Sequence, residues 1–372
     1  MFNTDPNDLK PFADLARSFA VKELAGKVAQ HDRYPFGDFY QDILEKVHHL
    51  GFLGVTLPTA LGGIDGGMAA LCEMLLHICE VDASPGGIIF TQTLAQEILL
   101  AAGNGDLAQS IFPKAASPKE MLVAFPAYTN PAQTDSLPLV QKKGNDYNLT
   151  GRLELLVLGS LARQAIIPAR HGRGPDYSFF LISLDNPKVE RSEPIFTLGL
   201  HACPAVDVTF SGTRAHLIGE ENLGHRYFGK VSPEMNSAAA AMNAGILRGA
   251  FNEAFSYSQK REQGGRPIFH WSEIVMMLAS ISVKADVAAM CVHQSCLELE
   301  RKISGYESRI AAASLHVAEL ACNATPDGIQ VLGGYGYMKE YGQEKRYRDA
   351  RMVQALLGAA LYKKLDIIQK AV

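Results

Sequence analysis

The sequence predicts an α+β multidomain chain, helical at both ends and built of antiparallel strands in the middle. Apolar residues recur at three- and four-residue spacing up to about residue 118, alternate with polar ones from about 121, and return to the helical period from about 233. At 372 residues the chain exceeds what one hydrophobic core usually serves, so the changes of period divide it into 1–118, 119–228 and 229–372. Lys+Arg 35 against Asp+Glu 39, with no block of five like charges, leaves no basic face for nucleic acid. The expected partner is a small molecule or another protein.

In the first part, Leu9, Phe12, Leu15, Phe19, Val21 and Leu24 place one amphipathic helix, and Phe39, Ile43, Val47 and Leu50 place a second. A glycine-punctuated segment follows, Leu50-Gly-Phe-Leu-Gly-Val-Thr-Leu-Pro58 with Gly62-Gly63 and Gly66-Gly67, and then helices near 69–80 and 87–102. Asp82-Ala-Ser-Pro85 supplies the cap and stop between those two. The start Met-Phe-Asn-Thr-Asp-Pro-Asn-Asp lacks the positive charge and apolar stretch of a signal peptide, and no run of 18 uncharged apolar residues occurs, so the expectation is a soluble, cytoplasmic protein. The six cysteines form no C-x-x-C pair and sit mostly in apolar helical contexts, which predicts buried free thiols and no metal.

In the middle, Tyr147, Leu149, Leu153, Leu155 and Val157 alternate with polar residues, and so do Val206, Val208 and Phe210. Residues 177–184 read as a mostly apolar strand, with Pro126, Pro131, Gly144, Gly172, Gly174 and Pro187 marking turns. The pattern suits a small barrel or a sandwich. The last part reads as an Ala-rich helix over 237–250, a long helix over 271–304, another through Cys322 and a final one over 352–372.

One stretch breaks the last helical pattern, Asp327-Gly-Ile-Gln-Val-Leu-Gly-Gly-Tyr-Gly-Tyr, continuing to Arg348-Asp349-Ala-Arg351. Gly333, Gly334 and Gly336 end a helix and bare backbone N–H groups, a shape suited to pyrophosphate. With Gln330 ahead of the glycines, it resembles the C-terminal signature of the acyl-CoA dehydrogenase family, Q-x-x-G-G-x-G-(Y/F) followed by R-D-A-(R/K). The segment 50–58 resembles that family's L-G-x-x-G-x-x-x-P. The resemblance runs end to end and implies an N-terminal all-α domain, a middle β-barrel and a C-terminal four-helix bundle.

It also implies FAD-dependent α,β-desaturation of an acyl-CoA thioester: a carboxylate removes the α-proton while hydride passes to the flavin, whose ADP half is held by a neighbouring subunit. Residue by residue, Arg261, Gln330, Gly333 and Gly334 match the cofactor-binding positions that reach the neighbour's FAD. Arg261-Glu-Gln-Gly-Gly265 departs from the family's R-x-x-F-G by losing the aromatic at Gly264. The ring-binding T-E-P-x-x-G-S-D falls on Phe125-Pro-Ala-Tyr-Thr-Asn-Pro-Ala132, and W-I-(T/S)-N on Leu155-Leu-Val-Leu158. The family's usual glutamate base falls on Leu357. A minority register gives Met235, one residue from Glu234, which is the one candidate base left. The reading is a base-less subunit of a heteromeric acyl-CoA dehydrogenase that completes the FAD site of a homologous partner subunit. Acyl-CoA and an electron-transfer flavoprotein are its further partners. A flavin-free acyl-CoA-binding scaffold, and an active homo-oligomer using Glu234, stay open beside it.

Overall fold

The computed structural model describes residues 6–34, 39–144, 146–172 and 174–369. Residues 1–5 of the N-terminal stretch and 370–372 of the expected last helix lie outside the described residues.

The chain opens with α1 (Pro6–Phe19), continued by a π-helical turn over Ala20–Leu24, then α2 (Val28–His31), α3 (Phe39–His49), α4 (Gly67–Cys79), α5 (Ala83–Ala101), α6 (Gly105–Ile111) and α7 (Pro118–Met121). The sequence places α5 from about residue 87, but it begins at Ala83. Asp82 is its N-cap and accepts the Ser84 N–H at 3.0 Å, and Pro85 sits in the first turn, where a missing N–H loses no helical bond. Gly86 stays inside the helix because Cys79 Sγ lies 2.4 Å from where its Cβ would stand.

Strands follow: β1 (Val123–Ala124), β2 (Leu139–Lys143), β3 (Asp146–Val157), β4 (Gln164–Ala169), β5 (Ser178–Ser183), β6 (Val189–Arg191) and β7 (Ala205–Ile218). They form one sheet in the order β1-β4-β5-β7-β3-β2, with β6 also on β7. Every pair is antiparallel except β1 with β4. Bridges from Phe125 to Val157 and from Leu139 to Arg170 tie its two ends back on themselves, giving a barrel rather than an open sandwich.

The last part is α8 (Gly224–Lys260), a short hairpin β8 (Glu262–Gln263) and β9 (Arg266–Pro267), α9 (Ser272–Arg301), α10 (Tyr306–Leu332), α11 (Gln343–Gln354) and α12 (Ala360–Gln369). Two expectations are corrected here. Helix α8 starts well before residue 233 and carries Pro233 in its interior, where packing of both flanks offsets one lost main-chain bond. The single helix expected over 352–372 is two, broken where Leu357 and Gly358 both adopt positive φ. Helix α9 is long and apolar enough to cross a membrane by length and composition, but it packs along α8 and α10 as a bundle member. The cysteines are free, five of them buried and Cys291 half-buried.

A buried set of charges joins the three parts. Lys345 on α11 bonds Asp82 at 2.7 Å and also Asp349, and Asp349 accepts the Leu200 N–H at 2.8 Å. Arg348 pairs with Asp32 and Glu344, while His201 Nδ1 lies 2.7 Å from Asp32. Burial alone would raise Asp32, but His201 and Arg348 hold its carboxyl well below the usual range. The Arg348-Asp349 half of the C-terminal signature therefore works as a structural junction.

Candidate functional site

Helix α8 delivers Arg261 and helix α10 delivers the glycine turn to one pocket of about 590 Å³, whose lining includes Arg261, Gln330, Gly333, Gly334, Tyr257 and Tyr335. The four residues the sequence singles out for a cofactor are thus brought together. Gly333 ends α10 at φ 57°, ψ −132°, a conformation open to glycine and costly for other residues. A Cβ at Gly333 or Gly334 would meet nothing within 4 Å, so the main chain here is open to a close-lying group. Arg261 stacks over the Tyr335 ring, its Cζ 5.4 Å from the centroid. It takes part in no ion pair among the described residues, which leaves its guanidinium edge free for an oxyanion. This pocket fits the pyrophosphate end of a dinucleotide.

The aromatic missing at Gly264 is supplied from elsewhere. A Cβ on Gly264 would lie 2.8 Å from Trp271 Cζ2, so the chain's single tryptophan covers that position from the start of α9. Trp271 is held in place by its Nε1 donating to Gln263 O at 3.2 Å and by Arg266 stacked 4.0 Å over its ring. A hairpin glycine plus a nearby tryptophan was the available sequence signal, but only the folded hairpin aligns the two.

The segments matching the flavin-ring and base motifs also meet, though as an aliphatic cluster. Phe125 and Val157 exchange main-chain hydrogen bonds of 3.2 and 3.1 Å, Leu158 N donates to Pro204 O at 2.8 Å, and Leu357 N donates to Ala127 O at 2.7 Å. Leu156, Val157, Leu158 and Leu357 are buried. Leu155, Leu158 and Leu357 all hold positive φ, at 54°, 65° and 61°. Leucine has no local hydrogen bond to offset that conformation, at about 1–2 kcal/mol each. The backbone keeps an unusual shape while its side chains offer no donor to a flavin edge. At 155–158 and 357 the side chains offer no polar group to an isoalloxazine edge, while Tyr128, Thr129 and Asn130 keep polar side chains within 125–132.

Beside Leu357 lies a cavity of about 330 Å³ bordered by Asn130, His225, Ser232, Asn236 and Lys363. Lys363 donates to the carbonyls of Leu356 and Gln354, bracing the turn that carries Leu357, and burial pushes its pKa down to about 8. Glu234 does not border this cavity. It is two residues from Ser232 and Asn236 on α8, which turns its side chain to the opposite side of the helix. Burial raises its pKa. Its charge acts instead on Glu97 of α5, the one charged residue of that helix, which no sequence motif marks. Burial, and then Glu234, push Glu97 up to about 7.

Comparison with known proteins adds the following. Residues 6–119 match the model of the acyl-CoA dehydrogenase N-terminal domain, and residues 235–372 match that of the acyl-CoA dehydrogenase C-terminal domain. The chain is 25% identical over 361 residues to cyclohex-1-ene-1-carbonyl-CoA dehydrogenase of Syntrophus aciditrophicus, covering 94% of this chain and 86% of that one. It is 26% identical over 369 residues to caffeyl-CoA reductase-Etf complex subunit CarC of Acetobacterium woodii, covering 96% of each. Among solved structures, butyryl-CoA dehydrogenase of Megasphaera elsdenii superposes with a TM-score of 0.86 at 20% identity, covering 100% of this chain and 99% of that one. At that identity the likeness speaks to fold.

Proposed function

The chain belongs to the acyl-CoA dehydrogenase family, and on that premise we propose that it is the base-less subunit of a heteromeric member, lending the phosphate half of an FAD site to a homologous partner. In this reading the three stretches 1–118, 119–228 and 229–372 are its domains. The observation that carries it is an asymmetry. The pocket of Arg261, Gln330, Gly333 and Gly334 is open and suited to pyrophosphate, whereas the base position is Leu357 and the second ring motif is Leu155-Leu-Val-Leu158. A fold released from flavin altogether has no reason to keep the first while losing the second.

FAD supplies the hydride-accepting chemistry of the family when bound. The part of this chain is to hold the pyrophosphate end through the Arg261 guanidinium and the N–H groups of the glycine turn, while the partner contributes the ring site and the carboxylate base. Exposed apolar side chains support an assembled state: Met276, Val283 and Met290 on α9 are 70%, 62% and 70% exposed. The relatives named for cyclohex-1-ene-1-carbonyl-CoA and caffeyl-CoA support an acyl-CoA thioester as the substrate of the assembly. The Etf complex of the second supports an electron-transfer flavoprotein as acceptor, and a cytoplasmic setting goes with both.

The test is reconstitution with the partner subunit carrying Arg261→Ala, followed by titration of FAD. Loss of the charge-assisted bonds should cost about 1.5–3 kcal/mol, roughly ten- to a hundred-fold in FAD affinity. Occupancy and turnover at the wild-type level would reduce Arg261 to a helix-terminal cation and remove the main support.

A further inference from the structure

A partly open space of about 310 Å³ lies apart from both pockets described above, where the turn after α1, the end of α4, α8 and the start of α11 meet. Its charged lining is Lys339, Lys345 and Arg346 with Glu253, Glu340 and Asp349. The cations are not equivalent. Lys345 is matched by Asp82 and Asp349. The Arg346 side chain, half-buried overall, enters no hydrogen bond or ion pair among the described residues, and its Nε is sealed from solvent without a partner. The Nε lies only 2.9 Å from where a Cβ on Gly249 would stand, so α8 keeps a glycine under the guanidinium. Burial pulls on its charge against the more distant carboxylates of Glu253, Asp349, Glu80 and Asp82. A buried guanidinium nitrogen with no acceptor is disfavoured, unless something else supplies the acceptor.

The same space is bordered by the beginning of α11. Gly342 is the N-cap and has no side chain with which to cap. Among the described residues, no backbone carbonyl takes the N–H groups of Gln343, Glu344 or Lys345. The start of the helix, at Gly342 and Lys345, and the Arg346 guanidinium border one cavity.

We propose that this cavity is an oxyanion site that takes phosphate, free or as the end group of a small phosphate ester. The oxygens accept from the Arg346 fork and from the first turn of α11, whose dipole favours the same charge. Glu253 and Glu340 share the lining and repel a second anionic group, so the ligand carries one compact charge. Occupancy ties the N-terminal helices to α11, whose other side chains form the buried charge junction.

The experiment follows thermal unfolding of the full chain in sodium phosphate, in glycerol phosphate and in sodium chloride at matched ionic strength, for the wild type and Arg346→Leu. The expected result is a saturable rise in Tm with phosphate over chloride, weakened roughly ten- to a hundred-fold in Arg346→Leu. In chloride alone, Arg346→Leu should unfold at or above the wild-type temperature, since it removes a half-buried charge that has no ion-pair partner among the described residues. A steeper response to the ester than to inorganic phosphate identifies an organic ligand, and the reverse identifies the free ion. Equal response to phosphate and chloride, or an unchanged response in the variant, overturns the site and leaves a water-filled space. If Arg346→Leu does not fold, phosphorus NMR of phosphate with the wild type and Arg346→Lys decides instead. Broadening of the line by the wild type and its loss in the variant is expected, and an unbroadened line with the wild type overturns the proposal.

Discussion

The main-chain N–H of Leu357 donates to the carbonyl of Ala127 at 2.7 Å, joining the turn between α11 and α12 to the segment after β1. By resemblance, the family's usual glutamate falls on that turn and its ring-binding motif on that segment. Here the two meet through backbone and aliphatic side chains.

From that contact follows the flavin content of the chain alone. Purified without a partner, it should carry well under one FAD per chain, because the Arg261 pocket opens at the surface and the aliphatic side chains at 155–158 offer no donors to a ring. Absorbance near the flavin bands after desalting is the measurement. A yellow homo-oligomer with full occupancy would show that the ring is held by groups other than those at 125–132 and 155–158.

Restoring the acid alone should not restore chemistry. Leu357→Glu places a carboxyl among buried apolar neighbours, so stability should fall by on the order of 2–4 kcal/mol at pH 8, and acyl-CoA turnover should stay at background. Denaturant unfolding and a dye-reduction assay check the two halves. Measurable turnover would mean that the ring site survives.

Glu97 makes stability depend on pH in a defined direction. Its carboxyl is raised from an ordinary 4.5 to about 7 in the fold, so the native state keeps a proton that the unfolded chain has already lost. Stability should therefore fall as pH rises from about 4.5 to 7, by on the order of 2–3 kcal/mol. Glu97→Gln should flatten that decline and be the more stable form at pH 8, with little difference near pH 4. Parallel curves for the two proteins would show that the carboxyl ionises freely.

The charge junction should be costly to break from one side. Asp349→Ala removes one of two carboxylates from buried Lys345 and also the acceptor of the Leu200 N–H, so a loss of about 3 kcal/mol is expected. Urea unfolding reads it directly. A loss below about 1 kcal/mol would mean that Asp82 alone satisfies Lys345.

The sequence by itself determined the kinds of element and the glycine turn with Gln330, because both are written locally. Periodicity of 3.6 or 2 follows from the geometry of one segment, and the glycine turn with Gln330 occupies five consecutive residues. It also placed aliphatic residues at 155–158 and 357. What only the tertiary structure decided depends on residues distant in the chain. Helix α8 runs through Pro233 because its neighbours pack both flanks, and Trp271 covers Gly264 because the β8–β9 hairpin folds it back. Arg348 and Asp349 look like part of a phosphate motif in sequence, yet their partners Asp32 and Leu200 lie 316 and 149 residues away. Whether a charge is a ligand, a brace or left without a partner is set by what surrounds it after burial, and Arg346, beside a fully paired Lys345, shows that adjacent residues can differ in that respect.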